Sequence, residues 1–407
     1  MQQQPSNPTD PIVGHVELVV GKNGQIRQAG SDRAGQFITD VKYNAERSLY
    51  FFAKTIMGYD LLSPTLHLPE CNRLQATPPY RKLTLLPRGH LKTTILKALA
   101  VHVCIQPGTV LGGGRFENVY FPNGIVGMSQ PLGTDTRVLL ASKTSGLAMS
   151  TLAEIMMNIE ANELLPAFWP HCFWRDTKDA RWWNQERIVL PRKATHKEAT
   201  IETIGVGGQI TGYHFNVQIF DDLIDIGTAN SPVEMFKTLE WWKASRALMH
   251  DQSRSLEFIV GTRWAVNDLY DWIIKNDHSV DPTVRAIIED GEPIFPEMFN
   301  HEIIDQMRRE YGALFPLLYM NSAADRSLTD FDMDKVRDFF ISDGKLLFDE
   351  TGDDIALEER RALAKELRAG TAPSHSASNA GAGRTKHDWD TLVERNNYLH
   401  YARTRST

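Results

Sequence analysis

The sequence has 407 residues, of which 42% are hydrophobic and 23% are charged, and its formal net charge is −7. This composition is typical of a globular protein with a large core, in two domains or in one large domain with tails. The negative charge argues against a surface generally dedicated to nucleic acid, so any contact with DNA would come from local basic patches. The widely spaced cysteines, Cys71, Cys104 and Cys172, predict neither a zinc site nor a disulfide framework.

The amino-terminal segment, residues 1–44, is polar and contains many Gly, Pro and Asn residues, so we interpret it as an arm. Its first residues lack the basic and apolar regions of a signal peptide. No stretch of the chain approaches the roughly 20 apolar residues of a membrane helix, so we expect no membrane association and a cytosolic location. Apolar residues at helical spacing predict that the first helix of the folded domain spans residues 45–57.

A β-prone run at residues 81–86 is followed by RGHLKTT and then by the helical pattern ILKALAVHVCI. Strand, loop and helix follow one another in the order that a phosphate-binding loop requires. Residues 106–135 are rich in Gly, Pro and Asn, which predicts a surface insertion. A strand at 137–141 and a helix with an apolar stripe between Ala148 and Ile159 form the next β-α unit.

The remaining pattern alternates strands and helices. We predict helices at residues 233–248 and at about 300–320, and strands at residues 187–190, 200–204, 217–220 and 256–260. This alternation predicts an α/β fold in which helices flank a mostly parallel sheet. The remaining segment, residues 331–407, contains an acidic helix-prone piece and a Gly/Ala/Ser-rich stretch, and we expect it to be a partly flexible tail.

The strongest chemical signal is the sequence PRGHLKTT, which lies between a predicted strand and a predicted helix. Backbone N–H groups at a helix N-terminus bind phosphate oxygens, a lysine there contacts the β- and γ-phosphates, and the next hydroxyl can coordinate Mg²⁺. In the pattern G-x-x-x-x-G-K-[ST], however, both glycine positions are occupied by leucine, Leu86 and Leu91. From the loop alone, a basic helix N-terminus without a nucleotide therefore remains an equal alternative. The candidate ATP-binding residues are Pro87, Arg88, Gly89, His90, Leu91, Lys92, Thr93 and Thr94.

A second signal is the apolar run VQIF, which is followed by Asp221 and Asp222. At the carboxyl edge of a parallel sheet, one of these carboxylates would lie near Mg²⁺ bound to Thr93, and the other could orient the attacking water. Paired acidic residues at a strand end also occur as plain turn residues. The order and separation of this pair and Lys92 favour the nucleotide-binding interpretation.

A third signal is the run LEFIV, which is followed by Gly261, Thr262 and Arg263. A strand end beside a γ-phosphate can transmit hydrolysis to other parts of a motor, so these residues are a candidate coupling element. The alternative is a simple strand-to-helix turn in which Trp264 belongs to the core.

Taken together, these motifs resemble the ATPase domain of the large terminase subunits of tailed phages over about residues 45–330. The resemblance rests on PRGHLKTT, on GVGGQITGYH leading into VQIFDDLID, on FIVGTRW followed by NDLYDWI, and on RREYGALFPLLYMNSAAD. It implies a P-loop NTPase of the additional-strand, RecA-like type that uses ATP and Mg²⁺ to translocate double-stranded DNA into a capsid. The implied partners are a portal protein, a small terminase subunit and further copies in a ring, in the cytoplasm of an infected host cell.

The resemblance also implies roles for individual residues. Lys92 and Thr93 become the phosphate and Mg²⁺ contacts, and Arg88 becomes a loop arginine that stabilises the γ-phosphate. Asp221 becomes the Walker B carboxylate beside the metal ion. Asp222 stands where the family often has a catalytic glutamate, and because aspartate is one methylene shorter, we expect slow turnover.

Terminase large subunits usually carry a second, nuclease domain, and residues 331–407 are too few for such a fold. We therefore expect ATPase activity without nuclease activity in this chain. The acidic residues of this segment are interpreted as a solvated charge run; they are Asp349, Glu350, Asp353 and Asp354. Two alternatives remain open: a helicase-like additional-strand ATPase, which would require a second RecA-like domain, and a non-catalytic docking subunit that binds nucleotide weakly or not at all.

Overall fold

A computed structural model describes residues 18–20, 26–28, 35–106, 116–125, 132–209, 211–322, 339–342 and 345–348. The chain divides into two compact units, Met1–Asp325 and Arg326–Thr407. Within the described part of the chain, no helix is long and apolar enough to cross a membrane. The acidic run that begins at Asp349 lies outside the described residues, as do residues 1–17 of the predicted arm.

The strands of the first unit are β1 (Leu18–Val20), β2 (Ile26–Gln28), β3 (Arg81–Leu85), β4 (Phe116–Asn118), β5 (Phe121–Ile125), β6 (Val138–Ser142), β7 (Trp183–Asn184), β8 (Arg187–Ile188), β9 (Ile201–Gly205), β10 (Val217–Asp221), β11 (Leu256–Gly261), β12 (Val280–Val284), β13 (Ile288–Glu289) and β14 (Glu292–Pro293). In the second unit, β15 (Phe339–Ser342) and β16 (Lys345–Phe348) form an antiparallel pair.

The α-helices are α1 (Gly35–Arg47), α2 (Leu49–Phe51), α3 (His67–Gln75), α4 (Lys92–His102), α5 (Ser145–Ala161), α6 (Leu164–Phe168), α7 (Ile226–Ala229), α8 (Pro232–Ser245), α9 (Leu269–Asn276), α10 (His301–Tyr311) and α11 (Phe315–Met320). A π-helical segment follows α2, and short 3₁₀ segments follow α8 and α10.

The main sheet has eight strands in the order β12-β3-β11-β10-β6-β9-β8-β7. The strands from β12 to β9 are parallel, whereas β8 pairs antiparallel with both β9 and β7. In the centre of the sheet, Asp221 of β10 is in register with Val260 of β11 and with Ser142 of β6. The expected α/β fold with a mostly parallel sheet is therefore confirmed.

Helices pack on both faces of the sheet, because consecutive side chains of a strand point to opposite faces. On one face, Ile219 and Phe258 belong to the same core as Leu96 of α4 and Ile155 of α5. On the other face, the core is formed by residues that include Phe220, Ile259, Trp242, Tyr270 and Ile273. All residues of β10 and β11 are buried, as expected for central parallel strands.

Some strands differ from the prediction. The run predicted at residues 187–190 contributes only Arg187 and Ile188 to the sheet, and both pair antiparallel with β9. The edge strand β12 was not predicted, since its sequence, VDPTV, contains a proline. A proline is tolerated there because an edge strand has one side without a neighbouring strand.

The first helix begins earlier than predicted, at Gly35, and ends at Arg47. Ser48 then caps α2, and its hydroxyl accepts a hydrogen bond from the Phe51 N–H at 3.2 Å. Tyr120 lies in the predicted surface insertion but is buried, with its hydroxyl 2.8 Å from Nδ1 of His102. This part of the insertion therefore contributes to the core.

Candidate active site

The three predicted motifs follow β3, β10 and β11, and these strands are neighbours in the sheet. Because the strands are parallel, the segments after their carboxyl ends meet at one edge. The structure brings together Lys92, Thr93, Asp221, Asp222 and Thr262 at this edge. Residues separated by more than 150 positions in the sequence thus form one polar site, since Lys92 and Thr262 are 170 positions apart.

The loop between β3 and α4 contains two residues in the left-handed region of the backbone. Gly89 has φ of +82°, and Leu91, which caps α4, has φ of 55° and ψ of 22°. Leu91 occupies the second glycine position of the phosphate-loop pattern, and it adopts a conformation that glycine reaches without steric cost. A non-glycine residue in this region costs about 1–3 kcal/mol, so the surrounding structure must hold the loop in place.

His90 anchors this loop in the protein interior. Its ring is buried and stacks on the Phe299 ring, with the centroids 4.7 Å apart and an interplanar angle of 3°. Burial lowers the pKa of His90 to about 4, so the ring is neutral at neutral pH. A Cβ atom at Gly89 would lie 3.0 Å from Cζ of Phe299, so the glycine allows the loop to pass close to this ring. The side chain of His90 therefore faces the core.

Lys92 is the first residue of α4, and its side chain is buried at the sheet edge. Its Nζ atom donates a hydrogen bond to Oγ1 of Thr262 at 2.6 Å and lies 3.8 Å from Oδ1 of Asp222. The Lys92 ammonium group therefore contacts both Thr262, which follows β11, and Asp222, which follows β10. This contact places Thr262, a predicted coupling residue, directly beside the predicted phosphate-binding lysine.

Thr93 and Asp221 form the second contact of the site. The Thr93 hydroxyl donates to Oδ1 of Asp221 at 3.1 Å. Burial, and then the neighbouring Asp222, raise the pKa of Asp221 to about 7, while Lys92 opposes this shift. A further positive charge at this position would stabilise the ionised carboxylate.

The oxygen atoms of this site suit Mg²⁺, which prefers hard oxygen ligands and is often bound by one or two carboxylates together with substrate phosphates. Oδ1 of Asp222 is buried and, among the described residues, has no hydrogen-bond partner. The described residues contain no group of three or more His, Cys, Asp and Glu side chains that could hold a metal ion by themselves. The site therefore fits a Mg²⁺ ion that Thr93 and Asp221 would bind together with the oxygen atoms of a ligand.

Asp222 is held in an unusual backbone conformation, with φ of 46°. Its N–H donates to the Val260 carbonyl at 3.0 Å, and its own carbonyl accepts from the Lys143 N–H at 3.1 Å. Such left-handed non-glycine residues cluster at functional sites, where neighbouring structure holds them. The carboxylate of Asp222 is partly exposed at the sheet edge, with 46% relative side-chain accessibility, whereas Asp221 is buried.

Tyr270 holds the neighbouring backbone in place, a role that no sequence motif predicted. Its hydroxyl accepts a hydrogen bond from the Leu223 N–H at 3.1 Å, directly after Asp222. A Cβ atom at Gly261 would lie 2.2 Å from Cζ of the fully buried Tyr270 ring. Tyr270 thus links the end of β11 to the loop that carries Asp222, and only glycine at position 261 leaves room for it.

The two predicted arginines are placed differently from Lys92. Arg88 is exposed on the loop, and its backbone N–H donates to the Leu318 carbonyl at 2.9 Å. Arg263 forms ion pairs with Asp268 at 3.0 Å and with Asp271 at 3.3 Å. Arg263 therefore stabilises the turn into α9, and Thr262 is the residue of this segment that contacts Lys92.

A cleft of about 700 Å³ lies beside this site, at the carboxyl ends of β6 and β9. Its lining includes Lys143, Ser145, Arg187 and the glycine-rich segment that starts at Gly205. A Cβ atom at Gly205 would lie 2.4 Å from the backbone nitrogen of Ser145, so this glycine is required for the close approach of the two segments. The cleft extends the site along the sheet edge, away from Lys92.

No protein-family model matches the sequence, and a search of curated proteins finds no match either. The motifs and the geometry of the site are therefore the basis for a functional proposal.

Proposed function

We propose that this chain is a Mg²⁺-dependent ATPase of the additional-strand, RecA-like P-loop class, and that it is the motor subunit that drives double-stranded DNA into a viral capsid. The strand order supports the class. In an additional-strand ATPase, one strand lies between the phosphate-loop strand and the strand with the Walker B carboxylate. In this sheet, β11 lies between β3, which precedes Lys92, and β10, which ends at Asp221.

The observation that carries the proposal is the convergence of two contacts at the N-terminus of α4. Lys92 reaches Thr262 and Asp222, and Thr93 reaches Asp221. A lysine, a hydroxyl and two carboxylates at a helix N-terminus are the groups that phosphoryl transfer requires, because this chemistry depends mainly on positioning and charge stabilisation. The left-handed Leu91 supports the same interpretation, since the backbone there adopts a glycine-like conformation without a glycine.

Each residue then has a defined role. Lys92 leaves Thr262 and binds the β- and γ-phosphates, so Thr262 is released when nucleotide enters. Thr93 and Asp221 would hold Mg²⁺, which neutralises phosphate charge when bound. Asp222 orients the attacking water, and the exposed Arg88 stabilises charge on the γ-phosphate. Gly261, Thr262 and Arg263 couple the state of the site to α9, because Arg263 is paired with Asp268 at the start of that helix.

The motor role rests on the resemblance of the motifs to terminase large subunits. In this proposal the subunit acts in the cytoplasm of an infected cell, docks on a portal protein with a small terminase subunit, and forms a ring of identical copies.

A second candidate is a docking subunit without catalytic activity. The leucines at both glycine positions of the loop favour it, as does an aspartate where the family often has a glutamate. Such a subunit would bind nucleotide weakly or not at all, and would not turn it over.

Steady-state ATP hydrolysis with Mg²⁺, measured with and without double-stranded DNA, separates these candidates. We expect DNA-stimulated turnover in the intact protein and a loss of at least about 100-fold in Lys92→Ala and Asp222→Asn, which is typical for removal of a charge-stabilising or water-orienting group. Lys237→Ala is the control, because Lys237 is an exposed lysine of α8 that pairs with Glu234. Absence of turnover in the intact protein, or equal losses in Lys92→Ala and the control, would overturn the proposal.

A further inference from the structure

A group of basic side chains lies at the amino ends of the parallel strands, at the sheet edge opposite the candidate active site. Arg137 directly precedes β6, the segment 191–197 (PRKATHK) lies in the loop before β9, and His214 and His250 lie before β10 and β11. We call this group the basic cluster, and it consists of Arg137, Arg192, Lys193, His196, Lys197, His214 and His250.

Internal contacts fold the segments of the basic cluster together. Nη2 of Arg192 donates to the carbonyls of His196 at 3.1 Å and Glu198 at 2.8 Å, which closes the loop around this side chain. Nζ of Lys197 lies 5.1 Å from the centre of the Tyr213 ring. The loop before β9 is therefore held against the segment before β10.

The acidic residues of this region accept hydrogen bonds from backbone N–H groups, and Oε2 of Glu198 also lies 3.9 Å from Nη1 of Arg137. Glu198 is buried and accepts from the His214 N–H at 2.9 Å, and Asp135 accepts from the Ala194 N–H at 3.2 Å. Asp251 accepts from the Ser253 N–H at 2.8 Å. In contrast, Lys193 and Lys197 are exposed, and so are His214 and His250. Lys193 and Lys197 therefore place two positive charges on the solvent-facing side of this group, although the whole chain carries a net charge of −7.

Two further observations concern the guanidinium groups of the basic cluster. Nη1 of Arg192 is buried and has no hydrogen-bond partner among the described residues. The pKa values of His196 and His250 are lowered, first by burial and then by the guanidinium of Arg137. A ligand with anionic oxygens would supply an acceptor for Arg192.

We propose that the basic cluster binds the phosphodiester backbone of double-stranded DNA. This inference deepens the proposed motor function and rests on it for the choice of ligand. It locates the local basic patch that an acidic protein needs to bind DNA, because lysine and arginine contacts to phosphates supply most non-specific affinity.

The location also defines a physical connection between the two sites. β11 begins beside the basic cluster. The N–H of its first residue, Leu256, donates to the Asn216 carbonyl at 2.9 Å, and the Asn216 side chain accepts from Nε of Arg137 at 3.1 Å. At its carboxyl end, β11 leads into Thr262, which contacts Lys92. The strand spans about 20 Å at roughly 3.3 Å per residue. DNA and nucleotide would therefore act on opposite ends of the same strand.

Binding of a fluorescently labelled double-stranded DNA, measured by anisotropy between about 50 and about 200 mM salt, tests this inference. The test variant is the full chain with Lys193→Gln and Lys197→Gln. The control carries Lys237→Gln and Lys243→Gln, which remove the same charge from exposed positions on α8. We expect the test variant to bind at least about tenfold more weakly at the lower salt, and the slope of log affinity against log salt to decrease by about 2. The control should change less than about twofold.

Equal losses in both variants, no loss in either, or no DNA binding by the intact protein would overturn the inference. ATP binding by the same proteins keeps this result separate from the proposed function. The test variant is expected to bind ATP like the intact protein. If DNA binding maps to the basic cluster but the intact protein binds no ATP, the DNA surface stands and the motor function fails. If the intact protein turns over ATP but the test variant binds DNA as tightly as the intact protein, the proposed function stands and the basic cluster is not the DNA-binding surface.

Discussion

Replacing Asp221 by asparagine should stabilise the protein in the absence of ligand, although it removes a residue of the candidate active site. Burial and the neighbouring Asp222 raise the pKa of Asp221 from 3.8 to about 7. The folded state therefore holds this proton more tightly than the unfolded state, and the free energy of unfolding decreases as the pH rises between these two values. Asparagine has no proton to lose, so the decrease should be absent from the variant.

The magnitude follows from the size of the shift. Each pKa unit corresponds to about 1.4 kcal/mol, so a displacement of about three units corresponds to an upper limit of roughly 4 kcal/mol. We expect Asp221→Asn to match the intact protein near pH 4 and to exceed its free energy of unfolding by up to this amount near pH 8. The asparagine oxygen can still accept the hydrogen bond from Thr93, so the contact within the site is retained.

Urea denaturation of both full-length proteins across this pH range, without nucleotide or Mg²⁺, measures the effect. Asp225→Asn is a control of opposite sign, because the N–H of Thr228 and other donors lower the pKa of Asp225. Its stabilising contribution is present above the unfolded pKa and is lost as the pH falls, so the control should lose stability at neutral pH. If Asp221→Asn is no more stable than the intact protein at pH 8, ionised Asp221 does not destabilise the folded state and the reasoning is wrong.

Two further substitutions and one chemical modification have defined outcomes. Gly261→Ala should lower the free energy of unfolding, measured by urea denaturation, by about 1–3 kcal/mol or more, because its Cβ would overlap the Tyr270 ring. The control Gly146→Ala in α5 should be nearly neutral, since its Cβ would meet no atom closer than 4.0 Å. Thr93→Val should weaken Mg²⁺-dependent ATP binding in calorimetry about tenfold or more while leaving the melting temperature within a few degrees; a large loss of stability would instead make Thr93 structural. Cys71, Cys104 and Cys172 are buried with raised pKa values and should react with a thiol reagent only after unfolding; rapid reaction of the native protein would contradict their burial.

The central part of the fold could be predicted because its strands are apolar runs. β10 and β11 are buried on both faces, so their sequences, VQIFD and LEFIVG, are almost continuously apolar. The strand β12 could not be predicted in the same way, since only Val280 is buried, the other residues are half-buried or exposed, and one of them is Pro282. Local sequence therefore indicates central strands well and edge strands poorly.

The site was predictable only where its residues lie at a strand end or in the loop that follows one. Asp221 and Thr262 could be placed at strand ends and Lys92 after the loop that follows β3, and the strand order brings them together. Tyr270 could not be identified, because its role depends on the absence of a side chain at Gly261 and on a backbone contact with the loop after Asp222. The basic cluster was also missed, because it combines four segments that are distant in the sequence.

The central claim is that the loop before α4 binds the phosphates of ATP through Lys92. Calorimetric titration of ATP with Mg²⁺ into the intact protein, Lys92→Ala and the control Lys237→Ala tests it most directly. We predict saturable, Mg²⁺-dependent binding to the intact protein and to the control, and affinity at least about tenfold lower in Lys92→Ala, because a charge-assisted contact with phosphate contributes about 1.5–3 kcal/mol. Equal affinity in all three proteins, or no binding to the intact protein, would contradict the claim.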